Sequence, residues 1–242
     1  MRIWGSCTAL GALLAASILA APAEAAVIFE DNFDAGASAA WGNQRGNWRD
    51  GGGVYDATNP SNNPTTYSDV TTLTDLTDFT VEVDVNDLND GGIWLRSSFS
   101  GGSASGVLLV TGGSLGSFNG FYWHTVQNDV FSGLINPQGF DGAQGSDVHL
   151  RVTVVGNLYS LFVNGSDTAL TTLTTSLFTS GSVGLYDFSP ISGASDPRGQ
   201  TFDNFVVSVR DPVPGVPEPA SLALVAAGLA GAAFLRRRRK AA

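Results

Sequence analysis

Trp94 and Arg96 stand two residues apart in a run whose alternation puts them on one face of a strand and Ile93 and Leu95 on the other. Tyr122, Trp123 and His124 follow a Gly/Ser/Asn-rich loop downstream. Aromatic rings stack on the apolar faces of sugars, and arginine, histidine and asparagine supply directional hydrogen bonds. These five residues could therefore line a groove for a glycan. The same tryptophans could instead fill the space between two sheets, and the sequence leaves both assignments open. Trp41 and Trp48, in the N-terminal loop region, read as packing residues.

Acid/base work is the second candidate chemistry. The run Glu82-Val83-Asp84-Val85-Asn86-Asp87 resembles the E-x-D-x-x-E strand of laminarinase-like glucanases, whose carboxylates act as nucleophile and general acid/base. Its last position is Asp87 instead of Glu, and the run reads more simply as the polar side of a half-buried strand, so no catalytic residue is assigned. The two histidines have no metal-ligand spacing, and there is no G-x-S-x-G. Gly101-Gly102 and Gly112-Gly113 lack the lysine and helix start of a phosphate loop and read as turns. The residues favour binding over catalysis.

The chain ends on Pro217-Glu218-Pro219, an uncharged apolar run to Leu235, and the cations Arg236-Arg237-Arg238-Arg239-Lys240. Two prolines hold a single carboxylate in an extended segment that cannot join a helix behind it, and the cations stay on the cytoplasmic side of a membrane. The order of these elements resembles a PEP-CTERM sorting signal, which implies Gram-negative bacteria, an exosortase-type processing enzyme, and Pro217, Glu218 and Pro219 as the recognised residues. Residues 220–235 give about 24 Å of helix against a hydrocarbon core of about 30 Å, short for a permanent anchor. At the other end, Arg2, an apolar stretch and Ala23-Glu24-Ala25 make a secretory signal peptide with cleavage expected before Ala26. The only cysteine, Cys7, lies inside it, so the mature chain has no disulfide or thiol chemistry.

The expected organisation is a signal peptide over 1–25, a β domain over 26–210, a Pro-rich linker over 211–219, a transmembrane helix over 220–235 and an Arg-rich cytoplasmic tail over 236–242. Residues 26–215 carry 20 Asp and Glu against six Arg and no Lys, a formal charge of −14. Such a surface excludes nucleic acid and anionic lipid headgroups as partners and leaves calcium and neutral glycans open.

Gly, Ser, Thr, Asn and Asp dominate this region, which disfavours helix and favours strands joined by polar turns. Val81, Val83 and Val85 alternate with Thr80, Glu82 and Asp84, and Val148, Leu150, Val152 and Val154 with His149, Arg151 and Thr153. Further strands are expected over 27–29, 92–97, 106–110, 121–126, 182–187 and 202–209. Residues 158–163 run into Asn164-Gly165, which reads as a two-residue hairpin turn. About ten strands imply an all-β, antiparallel two-sheet sandwich.

Several segments resemble the concanavalin A-like jelly roll, closest to the laminin-G-like group and 3-keto-disaccharide hydrolase-type domains. They are Phe29-Glu30-Asp31-Asn32-Phe33, the strand over 78–84 with Gly92-Ile93-Trp94-Leu95-Arg96, the run 158–165, Gly181-Ser182-Val183-Gly184-Leu185-Tyr186, and Phe202-Asp203-Asn204-Phe205. The resemblance implies adjacent first and last strands and a concave face that binds carbohydrate in many relatives. It also implies a structural calcium near Asp31 and Asp203, with Asn86, Asp87, Asn89 and Asp90 as another oxygen-rich turn. The sequence thus points to an exported surface protein, sorted by an exosortase from the inner membrane and binding a polysaccharide or extracellular matrix. A carbohydrate-active hydrolase and a purely structural surface protein are the alternatives.

Overall fold

The computed structural model describes residues 25–61, 65–112, 119–140, 145–188 and 199–210. Ala23, the sorting motif Pro217-Glu218-Pro219, the expected membrane helix and the Arg-rich tail lie outside the described residues. Ala25–Asp211 forms one compact unit. The described residues contain sixteen strands and no helix.

The strands make two eight-stranded sheets, and every pairing is antiparallel. The first sheet runs β14 (Thr171–Thr174), β13 (Leu158–Val163), β12 (Val148–Val155), β6 (Phe79–Asn86), β16 (Thr201–Arg210), β4 (Tyr55–Ala57) and β3 (Trp48–Asp50), with β1 (Ala25–Asp31) also on β16. The second runs β10 (Val130–Phe131), β9 (Gly120–Gln127), β8 (Ser103–Val110), β7 (Gly91–Ser100), β15 (Ser182–Asp187), β5 (Tyr67–Val70) and β2 (Trp41–Arg45), with β11 (Ile135–Gly139) also on β9. First and last strands are neighbours, Ala25 opposite Arg210 and Asp31 opposite Phe205. This is the jelly-roll sandwich that the alternation and the adjacent termini imply.

Alternation decides what lies between the sheets. Along β6 the burial alternates residue by residue, with Val81, Val83 and Val85 fully buried and Thr80, Glu82 and Asp84 turned outward. Across the gap they face a layer drawn from Ile93 and Leu95 of β7, Val107 and Leu109 of β8, and Phe121 and Trp123 of β9. Burying each such side chain contributes about 1.5–3 kcal/mol, so the inter-sheet layer is the main source of stability.

Two local readings change. Asn164 and Gly165 do take positive φ, 52° and 72°, but β13 reaches β14 only after residue 170. The backbone N–H of Asn164 donates to the His149 carbonyl, its side-chain Oδ1 accepts from the His149 N–H, and the Ser166 N–H closes the turn on the Val163 carbonyl, so β13 and β14 do form an antiparallel hairpin, but through a loop longer than two residues that is pinned onto β12. The short strands β2 to β5, β10, β11 and β14 carry too few residues for a periodic signal and were not expected.

Candidate functional site

In β7, β8 and β9 the residues between those of the inter-sheet core point to the far side of the second sheet. They form a second apolar cluster of Tyr67, Trp94, Leu108, Val110, Tyr122 and Tyr186, edged by Phe99, Phe131 and Phe188. Cross-strand pairing lines up Asp69, Gly184, Trp94, Leu108 and His124 in one row, and Tyr186, Gly92, Val110 and Tyr122 in a parallel one. The outer face of this sheet is therefore aromatic, whereas the outer face of the first sheet carries Glu82, Asp84, His149 and Arg151.

At one end of that face Phe99 stacks on Tyr67 at 4.1 Å and meets Trp94 edge-on at 5.6 Å. The Arg45 guanidinium lies 4.9 Å above the Tyr67 ring. It pairs with Asp129 at 3.1 Å and donates to the carbonyls of Thr65 and Gly102. Arg45 ends β2 and Asp129 sits in the turn between β9 and β10, so this clasp joins segments from opposite edges of the sheet. Burial raises the Tyr67 phenol pKa, with Arg45 opposing, so the ring stays neutral.

Beside the clasp is a pocket of about 390 Å³ lined by Asp69, Thr71, Thr74, Asp75, Ser97, Ser98, Phe99, Ser180, Gly181 and Ser182. An aromatic wall, two carboxylates and several hydroxyls over that volume suit a small polar ligand with an apolar face. The sequence singled out none of these as a site residue, naming Gly181 and Ser182 only for the fold. They come from three strands and two turns, carry no motif spacing, and are mostly Ser and Thr, which the whole domain uses freely.

The five residues expected to bind separate into three groups. Trp94, Tyr122 and His124 share the outer face. Trp94 is fully buried beneath Phe99, and its indole N–H donates to the Thr66 carbonyl at 3.4 Å. Tyr122 and His124 meet edge-on at 5.3 Å, and His124 packs on Phe131 at 5.2 Å with Nδ1 against the Gly133 carbonyl at 3.3 Å. Burial lowers the His124 pKa, with backbone hydrogen bonds to Gly133 and Ser132 opposing, which favours the neutral ring. Trp123 instead points into the inter-sheet core, its indole N–H donating to Thr171 Oγ1 at 3.3 Å.

Arg96 corrects the expectation that it shares a face with Trp94. The register between β7 and β8 shifts between Leu95 and Ser98, and Arg96 has φ of 44°, so a bulge turns its side chain to the other side of the sheet. All five guanidinium N–H groups are then engaged: Nε and Nη2 with the Thr77 carbonyl, Nη2 with Gly156, and Nη1 with the Phe178 carbonyl and the Tyr159 hydroxyl. The Tyr159 ring lies 5.4 Å away and Asp78 at 3.6 Å. Arg96 ties three loops together and has no donor left for a ligand.

Glu82 and Asp84 lie on the outer face of the other sheet. Asp84 Oδ1 pairs with His149 Nδ1 at 2.7 Å, its Oδ2 accepts from Asn204 Nδ2 at 2.8 Å, and Glu82 stands 4.0 Å from His149 Nε2. The pair forms an ionic row on a solvated strand, away from the aromatic face.

The calcium expected near Asp31 and Asp203 does not fit the residues. Asp31 Oδ1 accepts from the Phe33 N–H at 3.0 Å, and Oδ2 from the Ser38 N–H at 2.7 Å and the Trp41 indole at 2.9 Å, so its lone pairs close a turn. Asp203 Oδ1 accepts from the Asn204 N–H at 2.6 Å, and desolvation, more than the nearby charges of Asp84 and Asp34, raises its pKa. A hollow of about 460 Å³ beside them, lined by Glu30, Asp31, Asn32, Asn204, Phe205 and Val206, is walled partly by these occupied groups. Among the described residues no three His, Cys, Asp or Glu side chains are grouped to hold a metal. In the other oxygen-rich turn, Asn89 Oδ1 is likewise taken by the Asp90 N–H at 2.9 Å.

Comparison with known proteins agrees at both levels. Residues 215–239 match the PEP-CTERM protein-sorting motif. The fold is similar to that of the carbohydrate binding module CBM66 from Bacillus subtilis, at 16% identity and a TM-score of 0.51, covering 70% of this chain and 91% of that one. A Bacillus licheniformis beta-glucanase aligns over 75% of this chain and 97% of its own, at 16% identity and a TM-score of 0.48. No curated protein matches the sequence. The chain is thus a jelly-roll sandwich followed by a PEP-CTERM sorting motif.

Proposed function

We propose that this is an exported surface protein whose sandwich binds polysaccharide, without catalysis, on the outer face of the second sheet. The observation that carries the reading is the 390 Å³ pocket, where Phe99 offers a stacking ring among hydroxyls and carboxylates. The sorting motif supports surface delivery: an exosortase-type enzyme reads Pro217, Glu218 and Pro219 and releases the chain from the inner membrane. Removal of the signal peptide after Ala25 precedes this step. The likeness to a carbohydrate binding module supports the architecture. The Glu82 and Asp84 carboxylates, already engaged on the opposite sheet, supply no acid/base pair for a hydrolase in that pocket.

The test is binding of the domain over residues 26–211 to polysaccharides extracted from its own host, with reducing-sugar release followed in parallel. Binding without release is expected, and Phe99→Ala should weaken it about 10- to 100-fold, the effect of losing one stacking residue at a binding centre. A folded domain that retains none of these polysaccharides, with or without calcium, overturns the reading.

A further inference from the structure

Independently of glycan binding, we infer that Asn164 is a modification site, at which the side chain closes on the Gly165 nitrogen through a cyclic imide and is converted to aspartate and isoaspartate. An asparagine followed by glycine lets the next backbone nitrogen reach the side-chain carbonyl carbon with no Cβ in its way. The chain holds two such pairs, Asn164-Gly165 and Asn119-Gly120. Both asparagines are exposed, and it is the hydrogen bonding around them that separates the two.

At Asn119 the attacking nitrogen is committed. Gly120 opens β9, its N–H donates to the Gly112 carbonyl at 2.9 Å, and its backbone lies so close to β11 that a Cβ there would stand 2.3 Å from the Gln138 carbonyl oxygen. At Asn164 each reacting group is available. Among the described residues the Gly165 N–H has no acceptor, and apart from its chain neighbours nothing lies within 4 Å of where its Cβ would be. Asn164 Oδ1 accepts from the His149 N–H at 2.9 Å, which polarises the carbonyl and supports the charge that grows on this oxygen during attack. The Nδ2 that must leave has no hydrogen-bond partner among the described residues. The turn is held on both sides, by the Asn164 N–H on the His149 carbonyl and by Arg151 Nη2 on the Ser166 carbonyl at 3.1 Å.

The Gly165 nitrogen gives up its proton and bonds to Asn164 Cγ, the Cγ–Nδ2 bond breaks, and Nδ2 leaves as ammonia carrying one proton more. Water then opens the imide. Cleavage of the new bond to Cγ gives aspartate, and cleavage of the bond to the backbone carbonyl carbon gives isoaspartate, with an extra methylene in the main chain. Either product adds a carboxylate, taking the formal charge of the domain from −14 to −15. The extra methylene falls inside the segment closed by the Ser166 N–H on the Val163 carbonyl, so the isoaspartate form loses that bond.

The test ages the purified protein in mildly alkaline buffer, folded and in urea, and follows residues 119 and 164 by peptide mass spectrometry, with isoaspartate read by enzymatic methylation. In the folded protein residue 164 should convert about tenfold faster than residue 119, the factor set by releasing one strand hydrogen bond at Gly120. In urea the two rates should converge. Asn164→Gln, which would have to close a larger ring, should stay unmodified at this turn and keep its urea midpoint on ageing while the wild type drifts downward. Equal rates at the two sites in the folded protein overturn the inference. So does conversion of residue 164 in urea with none in the folded state, which would mean that the turn protects the asparagine.

Discussion

Asp90 is 3% exposed in the turn between β6 and β7, and among the described residues its Oδ1 has no hydrogen-bond partner. Burial alone pushes its carboxyl up from the ordinary 3.8 to about 7. Among the described residues Gln200 Nε2 has no partner either, while Gln200 Oε1 accepts from the Asn89 N–H at 2.7 Å and Thr111 Oγ1 at 3.2 Å. The folded state therefore holds the Asp90 proton to about pH 7, whereas the unfolded chain releases it near 3.8. Stability from this group is complete below about pH 4, is lost progressively as pH rises to about 7, and stays lost above that. The gap of about three pKa units sets a ceiling of about 4 kcal/mol, lowered in practice by relaxation and water entry. Asp90→Asn keeps the shape and removes the charge. The two proteins should have similar stability near pH 4, and the variant should be the more stable by about 1–4 kcal/mol at pH 8. Urea denaturation at a series of pH values reads this directly, and each kcal/mol moves the thermal midpoint by about 2–4 °C in a domain of this size. Asp203 and His124 are common to both proteins, so their titrations cancel in the difference. A difference that does not change between pH 4 and 8 refutes the assignment of a buried, neutral Asp90.

Arg96→Ala should cost about 3 kcal/mol or more, because it strands the carbonyls of Thr77, Gly156 and Phe178, and Arg96→Lys should not restore it, since an ammonium cannot span four partners; urea midpoints measure both. Trp123→Ala should cost about 3–5 kcal/mol through a cavity between the sheets, and a loss of glycan affinity without loss of stability would contradict its place there. Replacing Pro217, Glu218 and Pro219 with Ala should leave export intact and stop processing, so that the uncleaved chain accumulates in the inner membrane. Identical masses of wild type and variant in a host with an exosortase would contradict that role.

The sandwich was legible because its central strands are amphipathic over six to eight residues. Val81 to Val85 and Val148 to Val154 keep a strict period of two, and each apolar position in them proves buried. Arg96 was misread because the period breaks within β7. A single residue with φ of 44° advances every later side chain by one face, and arginine is not a residue that announces such a conformation. The signal lies on the neighbouring strands. A Cβ on Gly106 would stand 2.8 Å from the Ser97 Cα, and one on Gly181 would stand 2.5 Å from the Arg96 carbonyl carbon. Glycine on both flanks of one position marks a bulge, but only after the strands have been paired.

Trp94 shows why the choice between core and groove could not be settled from spacing. In a two-layer sandwich the outer face of a sheet normally meets water, so an outward tryptophan reads as a binding residue. Here that face folds a second core over itself: Phe99 and Tyr67 close on Trp94 from one end, the Arg45 to Asp129 clasp holds those rings, and Leu108 and Val110 fill the floor. Trp94 thus lies on the outer face of the sheet while being as buried as Trp123 on the other side. The aromatic that remains at the surface of the pocket is Phe99, in the extension of β7 beyond the bulge. The bulge that turns Arg96 inward shifts the later side chains of β7 by one face, and so places Phe99 beside Trp94.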